Sequence, residues 1–120
     1  MLVKEFKVDN FEIKVSEQTD EVKIQWLGRS EARNPAEILN PYLDNIANQL
    51  RGKNILIDYT KLEFMNSSTV PPIIKFIKSC SVNGMITNVH YNKNLEWQSA
   101  SFMPLKTVCI ILKNVIVTGI

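Results

Sequence analysis

The sequence predicts an α/β domain: a mixed β-sheet with its helices mainly on one face. Three observations predict it. Phe11, Ile13 and Val15, then Val22, Ile24 and Trp26, alternate with polar residues at the period of half-buried strands. Ile55-Leu56-Ile57 is a continuous apolar run, as expected of a strand covered on both faces. From residue 35 onward, stretches of helical spacing alternate with short strand-like runs. An antiparallel hairpin followed by such alternation implies later strands that run parallel through right-handed crossovers. At 120 residues the chain is expected to be one domain, 1–120, with a core of its own.

Taken in order, Met1 to Val8 alternates loosely and suits a short edge strand. The two alternating stretches follow, separated by a polar turn at Ser16 to Asp20, and the second is expected to end at Gly28. Asn34-Pro35-Ala36-Glu37 has the parts of a helix start: a capping Asn, Pro at the first helical position, and Glu three after the cap. Leu39, Tyr42, Leu43, Ile46, Ala47 and Leu50 continue at helical spacing. Pro41 should interrupt that helix near Asn40, because its ring clashes with the carbonyl of Glu37. Gly52 supplies the stop.

The centre of the chain is Asn54 to Ser81, a buried strand, a loop and a helix. Val70, Ile73, Ile74, Ile77 and Ser81 share one helical stripe, with Lys75 and Lys78 facing away. Ser67 and Ser68 therefore fall where a strand's carboxyl end leads into a helix's amino end, the place where ligands and partners meet open α/β sheets. Val82-Asn83-Gly84 ends this helix. Ile86, Val89 and Tyr91 suggest another strand, closed by Asn92-Lys93-Asn94. Leu95, Trp97 and Gln98 open a third helix running to Leu112, which Pro104 should kink or divide. Val115-Ile116-Val117 forms a last short strand.

Composition narrows the function. A formal net charge of +2, from lysines scattered singly, gives no electrostatic footprint for nucleic acid. The longest apolar run, Val108 to Leu112, has five residues, so no membrane span is expected. Glu5 and Lys7 break any signal pattern at the amino terminus, which points to the cytoplasm. Cys80 and Cys109 each lie in a helical stretch among apolar residues, without metal spacing, and read as buried reduced thiols. No metal or cofactor is expected.

Ile55-Leu56-Ile57-Asp58, followed by Leu62-Glu63-Phe64-Met65-Asn66-Ser67-Ser68, resembles the STAS family, the sulfate-transporter and anti-sigma-factor-antagonist domain. The similarity in element order covers nearly the whole chain from Phe11 onward. In that family a loop of type Phe-hydrophobic-Asp-Ser-Ser-Gly opens the second helix. The second serine is phosphorylated by a partner kinase in anti-sigma-factor antagonists. The resemblance implies a STAS-like, SpoIIAA-like fold and places the phosphorylated position at Ser68, with Ser67 as second choice. It implies partner binding through the Asn66–Pro72 loop and following helix, by Asn66, Ser67, Ser68, Thr69 and Val70, together with Asp58 at the strand end. The implied partners are a serine kinase or anti-sigma-factor-like protein, with a phosphatase to reverse the mark.

The chain departs from the family pattern in three ways. Asn66 stands where an Asp is usual, removing a negative charge beside the hydroxyl. Thr69-Val70-Pro71 stands where Gly-Leu-Gly is common. Pro71 and Pro72 withdraw two backbone N–H groups from the helix start, weakening it as a phosphate cradle. They also disfavour helical geometry at Val70, so the helix should begin a residue or two late. A branch that keeps the fold and the serine pair but binds constitutively is the alternative.

Other roles compete for the same residues. Ser67 and Ser68 suit ordinary helix capping, and Asp58 suits a strand-ending turn. A hydrolase would need Ser67 or Ser68 as nucleophile, His90 as base and Asp58 as orienter, without any Gly-x-Ser-x-Gly elbow. That reading ranks below a binding module. Trp97 suits the core, or an interface rim if exposed.

Overall fold

The computed structural model describes residues 4–120. Its strands are Glu5–Val8 (β1), Phe11–Glu17 (β2), Val22–Ser30 (β3), Asn54–Asp58 (β4), Leu62–Met65 (β5), Ile86–Tyr91 (β6) and Val115–Gly119 (β7). Pro35–Gln49 (α1), Val70–Val82 (α2) and Glu96–Cys109 (α3) are the helices. The expected edge strand is β1; its proposed first residues, 1–3, lie outside the described residues.

β1, β2 and β3 form an antiparallel meander, and β4, β6 and β7 continue the sheet in parallel beyond β3. The spatial order is β1-β2-β3-β4-β6-β7, with β5 on β3. Register explains which face is covered. Ile13 lies opposite Trp26, Ile24 opposite Ile57, Ile57 opposite Val89, and Val89 opposite Val117. All of these are buried, as are Leu39, Leu43, Ile46, Ile73, Phe76, Ile77 and Phe102 of the three helices. The intervening residues, Lys14, Gln25, Asp58, His90 and Thr118, line up on the other face. Strand alternation thus sends one set of side chains to the helices and leaves the other face uncovered. Leu56 lies on that second face and is half-buried, so β4 is not sealed on both sides as its apolar run suggested.

Four local expectations are corrected. α1 is one continuous helix through Pro41, with its apolar face intact and Pro41 exposed. Six buried side chains on one stripe outweigh the missing bond to Glu37. Asn34 does not cap α1 with its side chain; only its carbonyl accepts, from the Glu37 amide at 3.3 Å. α3 likewise continues through the exposed Pro104, and it ends at Cys109, short of Leu112. β3 does not stop at Gly28: the ladder shifts register there and continues to Ser30. Gly28 has φ +81°, and a Cβ on it would sit 1.9 Å from the Asn10 carbonyl oxygen. Only glycine lets the Arg29 amide close onto that carbonyl at 2.9 Å.

The strand β5 falls where the sequence predicts a loop, so Leu62–Met65 corrects that expectation. This strand pairs with β3 from Gly28 to Ser30, across the irregularity between Gly28 and Arg29, so β4 and β5 lie along the same edge of β3. The helix that follows is also placed differently. Ser67–Thr69 forms a 3-10 turn that runs straight into α2. Val70 is helical at φ −63°, ψ −47°, so α2 does not start late. Pro71 and Pro72 occupy first-turn positions whose amides have no intrahelical acceptor, which is where proline costs least. The buried face of α2 is Pro72, Ile73, Phe76, Ile77 and Cys80 rather than the stripe through Val70, Ile74 and Ser81. Lys75 and Lys78 do face solvent.

Candidate functional site

The chain from β5 to α2 turns under the control of three small polar side chains. Thr69 is fully buried, and its hydroxyl lies 2.8 Å from the buried Ser30 hydroxyl and 2.8 Å from Asn66 Oδ1, to which it donates. Asn66 Nδ2 donates to the Ala32 carbonyl at 2.8 Å. Its backbone amide donates to the Ser30 carbonyl at 3.0 Å, and its carbonyl accepts from the Thr69 amide at 3.0 Å. The end of β3, the loop after it and the turn before α2 are thereby fastened together. A buried hydroxyl without partners is costly, so each bond holds the next in place.

Ser67 and Ser68 ride on the outside of this clamp, and both are exposed. They carry no cap bond to the helix: Asn66 is the residue before the turn, and the Val70 amide donates to the Ser67 carbonyl. The ordinary capping role is therefore not what these two hydroxyls perform. With Thr69 and Val70 amides engaged and Pro71 and Pro72 lacking theirs, the start of α2 holds few free N–H donors for an anion.

The remaining expected site residues separate into two groups. Val70 is half-buried against the core, next to the serines. Asp58 is elsewhere: it ends β4, is only 7% exposed, and faces the uncovered side of the sheet. Its carboxylate accepts from the Thr60 hydroxyl at 2.6 Å and the Thr60 amide at 2.9 Å, with Lys23 Nζ at 3.6 Å. Burial alone would raise its pKa, but the Thr60 bonds and the Lys23 ammonium outweigh that and hold it below the usual carboxylate range. Asp58 thus closes the strand-ending turn that its residue type suits. His90 lies opposite Asp58 on β6, while the serines follow β5 on the β3 side of β4. Ser, His and Asp are not brought together as a triad.

Sequence reasoning missed Ser30, which holds Thr69, and Gln98, which is fully buried in α3. Gln98 Nε2 donates to the carbonyls of Tyr59 at 2.7 Å and Leu62 at 3.0 Å, while its Oε1 accepts from the Asn92 amide at 2.7 Å. It fixes the turn between β4 and β5, and through it the approach to the serine loop. A serine at a strand end and a glutamine in a helix carry no sequence signal for these roles. Trp97 is half-buried and packs on the core.

Beside the serine turn, starting at Pro71, a groove of about 710 Å³ runs between α1 and α2. Ile74 and the exposed Val82 give it apolar walls, and Lys75 and Lys78 line it from α2. Asp44 on α1 lies 3.8 Å from Lys75. The apolar groove with its basic margin thus begins, at Pro71, shortly after the serine pair along the chain.

No protein-family model matches the sequence, and no curated protein matches it either. Solved structures do match the fold. An anti-sigma factor antagonist from Mycobacterium paratuberculosis superposes with a TM-score of 0.62 at 9% identity, covering 82% of this chain and 81% of that one. The anti-sigma factor antagonist SpoIIAA, in its unphosphorylated form, superposes with a TM-score of 0.57 at 14% identity, covering 89% of this chain and 88% of that one. Mixed sheet, strand order and helices on one face therefore make this chain a STAS-like, SpoIIAA-like fold, the fold that the resemblance implied.

Proposed function

We propose that this chain is a cytoplasmic STAS-type regulatory protein that docks a protein partner through the Asn66–Pro72 loop and α2. Ser68 is its phosphorylation site, with Ser67 the second choice. The partner is a serine kinase or an anti-sigma-factor-like protein, and a phosphatase restores the bound form. The observation that carries this reading is the exposed Ser67-Ser68 pair, held on a Ser30–Thr69–Asn66 hydrogen-bond network just before Pro71, where the α1–α2 groove begins. A site on a rigid support binds without first ordering its own loop. Two anti-sigma factor antagonists share the fold, which supports the same class of partner. Thr69 serves this surface as a buried support, whereas Asp58 closes the turn after β4 away from it. Among the described residues no helix is long and apolar enough to cross a membrane.

A phosphate on Ser68 adds about −1.5 to −2 charges at the docking surface. Ser68→Asp is expected to weaken partner binding by roughly tenfold to a hundredfold, while Ser68→Ala keeps it. Incubation with candidate kinases and ATP, followed by phosphopeptide mapping, should label Ser68. Equal affinity of the two variants, or no label with the genuine partner, would sink the switch.

A second reading is favoured by one feature. Asn66 spends its side chain on Ala32 and Thr69 and brings no carboxylate to the hydroxyls. With the prolines removing amides from the helix start, the chain would then be an adaptor that binds constitutively through the same surface.

A further inference from the structure

The two edges of the sheet differ. β1 at one edge carries Glu5 and Lys7, both exposed, the kind of charge that keeps an edge strand from pairing with another chain. β7 at the other edge has no charged residue from Val115 to Ile120, and Ile116 is 61% exposed. Among the described residues no strand pairs with its outer side.

Parallel pairing fixes which backbone groups of β7 point outward. The Asn114 carbonyl accepts from the Thr87 amide at 2.8 Å, and the Ile120 amide donates to the Tyr91 carbonyl at 2.9 Å. Residues of even number therefore face β6, and the N–H and C=O groups of Val115, Val117 and Gly119 face away from the sheet. The turn that leads from α3 into β7 holds Ile110 and Ile111, exposed by 81% and 85%. Isoleucines that exposed, in the turn leading into a strand whose outer edge is open and uncharged, mark a surface built to be covered.

We propose that β7 pairs antiparallel with β7 of a second copy of this chain across a two-fold axis. The edge is complementary to itself. With the axis at Val117, Val117 faces its own counterpart, and Val115 faces Gly119 of the other copy. Each of these pairs exchanges both backbone hydrogen bonds. Gly119 is glycine because a Cβ there would sit 2.9 Å from the Tyr91 ring, and the missing side chain leaves room for the opposing valine. Ile116 then meets Thr118 of the other copy on the uncovered face, with no like charges opposed. β7 is separated from β3 and β5 by β4 and β6, so the pairing leaves both serine loops open.

Sedimentation equilibrium tests this. At about 100 µM the full chain is expected at twice its 13.7 kDa. Ile116→Lys with Thr118→Lys sets lysine against lysine across the axis without touching the core, and should raise the dissociation constant by more than about tenfold. The same pair changed to glutamates should be equally monomeric, and mixing the two variants should restore a dimer. Backbone amides of Val115, Val117 and Gly119 should exchange slowly in the native chain and quickly in the lysine variant. A monomeric native chain, a dimer that survives both charged variants, or a mixture that fails to associate would overturn the proposal.

Discussion

Thr69 shows how much a single side chain can decide here. Its methyl and hydroxyl are both buried, and the hydroxyl bridges Ser30 and Asn66. Thr69→Val keeps the shape and removes both bonds, leaving the buried Ser30 hydroxyl without its partner. It is expected to cost about 1–3 kcal/mol in urea unfolding and to speed amide exchange at Ser67 and Ser68. Unchanged stability and exchange would show that the network does not hold the loop. Asp58 makes a separate prediction about pH. Its folded pKa is lowered, so its contribution is full above the unfolded value of about 3.9 and is lost as pH falls through the lower folded value. Asp58→Asn should therefore destabilise by about 1–2 kcal/mol at pH 7, and the gap from the native chain should narrow as pH drops below about 4. A gap independent of pH would mean that the carboxylate's charge does not matter. The serine pair was readable in the sequence because a motif and a helix start coincide there. Ser30 and Gln98 were not, because their importance lies in what packs beside them.

Among the elements, long periodic ones were legible and short or proline-bearing ones less so. The buried positions of α1, Leu39 to Leu50, fall where periodicity put them, since a helix's apolar face is written at fixed spacing. What misled was proline. Pro41 and Pro104 remove a local bond and lie on exposed helix positions, where tertiary burial on the opposite face carries the helix across the gap. Pro41→Ala should accordingly stabilise the chain, by about 1–3 kcal/mol, read as a raised urea midpoint with the slope unchanged. A lower midpoint would show that Pro41 contributes packing or favours the native entry to α1. β5 escaped notice for a different reason. Four residues with burial at Leu62 and Met65 lack alternation, and the strand they pair with, β3, reaches them only through the irregularity at Gly28.

Across the whole molecule, one aromatic chain runs through the core: Phe6 stacks on Tyr42 and meets Phe11, Phe11 meets Trp26, and Trp26 meets Tyr59. Tyr59 in turn meets Phe102, and Phe102 stacks on Tyr91. It links both halves of the sheet to α1 and α3. Trp26 Nε1 and the Tyr59 hydroxyl are sealed within it without hydrogen-bond partners, a cost the surrounding ring contacts offset. Near Tyr59 lie Cys80 and Cys109, both free and buried as expected. Burial pushes the Cys80 thiol up to about 12 and raises Cys109 as well. Both stay protonated at neutral pH, and the thiolate is the reactive form. A thiol reagent at pH 8 should modify neither in the native protein and both in denaturant, with native labelling limited by opening of the core. Fast native labelling of Cys80 would contradict its burial.

The stretch from Ile55 to Ser68 carried the resemblance to the STAS family, and alternation and helical spacing were enough to name the layers and the fold class. These features repeat at fixed intervals along the chain, so local order encodes them. The continuity of α1 through Pro41, the run of β3 past Gly28 and the strand β5 came only from folding. So did the Ser30–Thr69–Asn66 clamp and the contrast between the two sheet edges. Each depends on groups far apart in sequence that meet in space, and their energies exist only once the layers have packed.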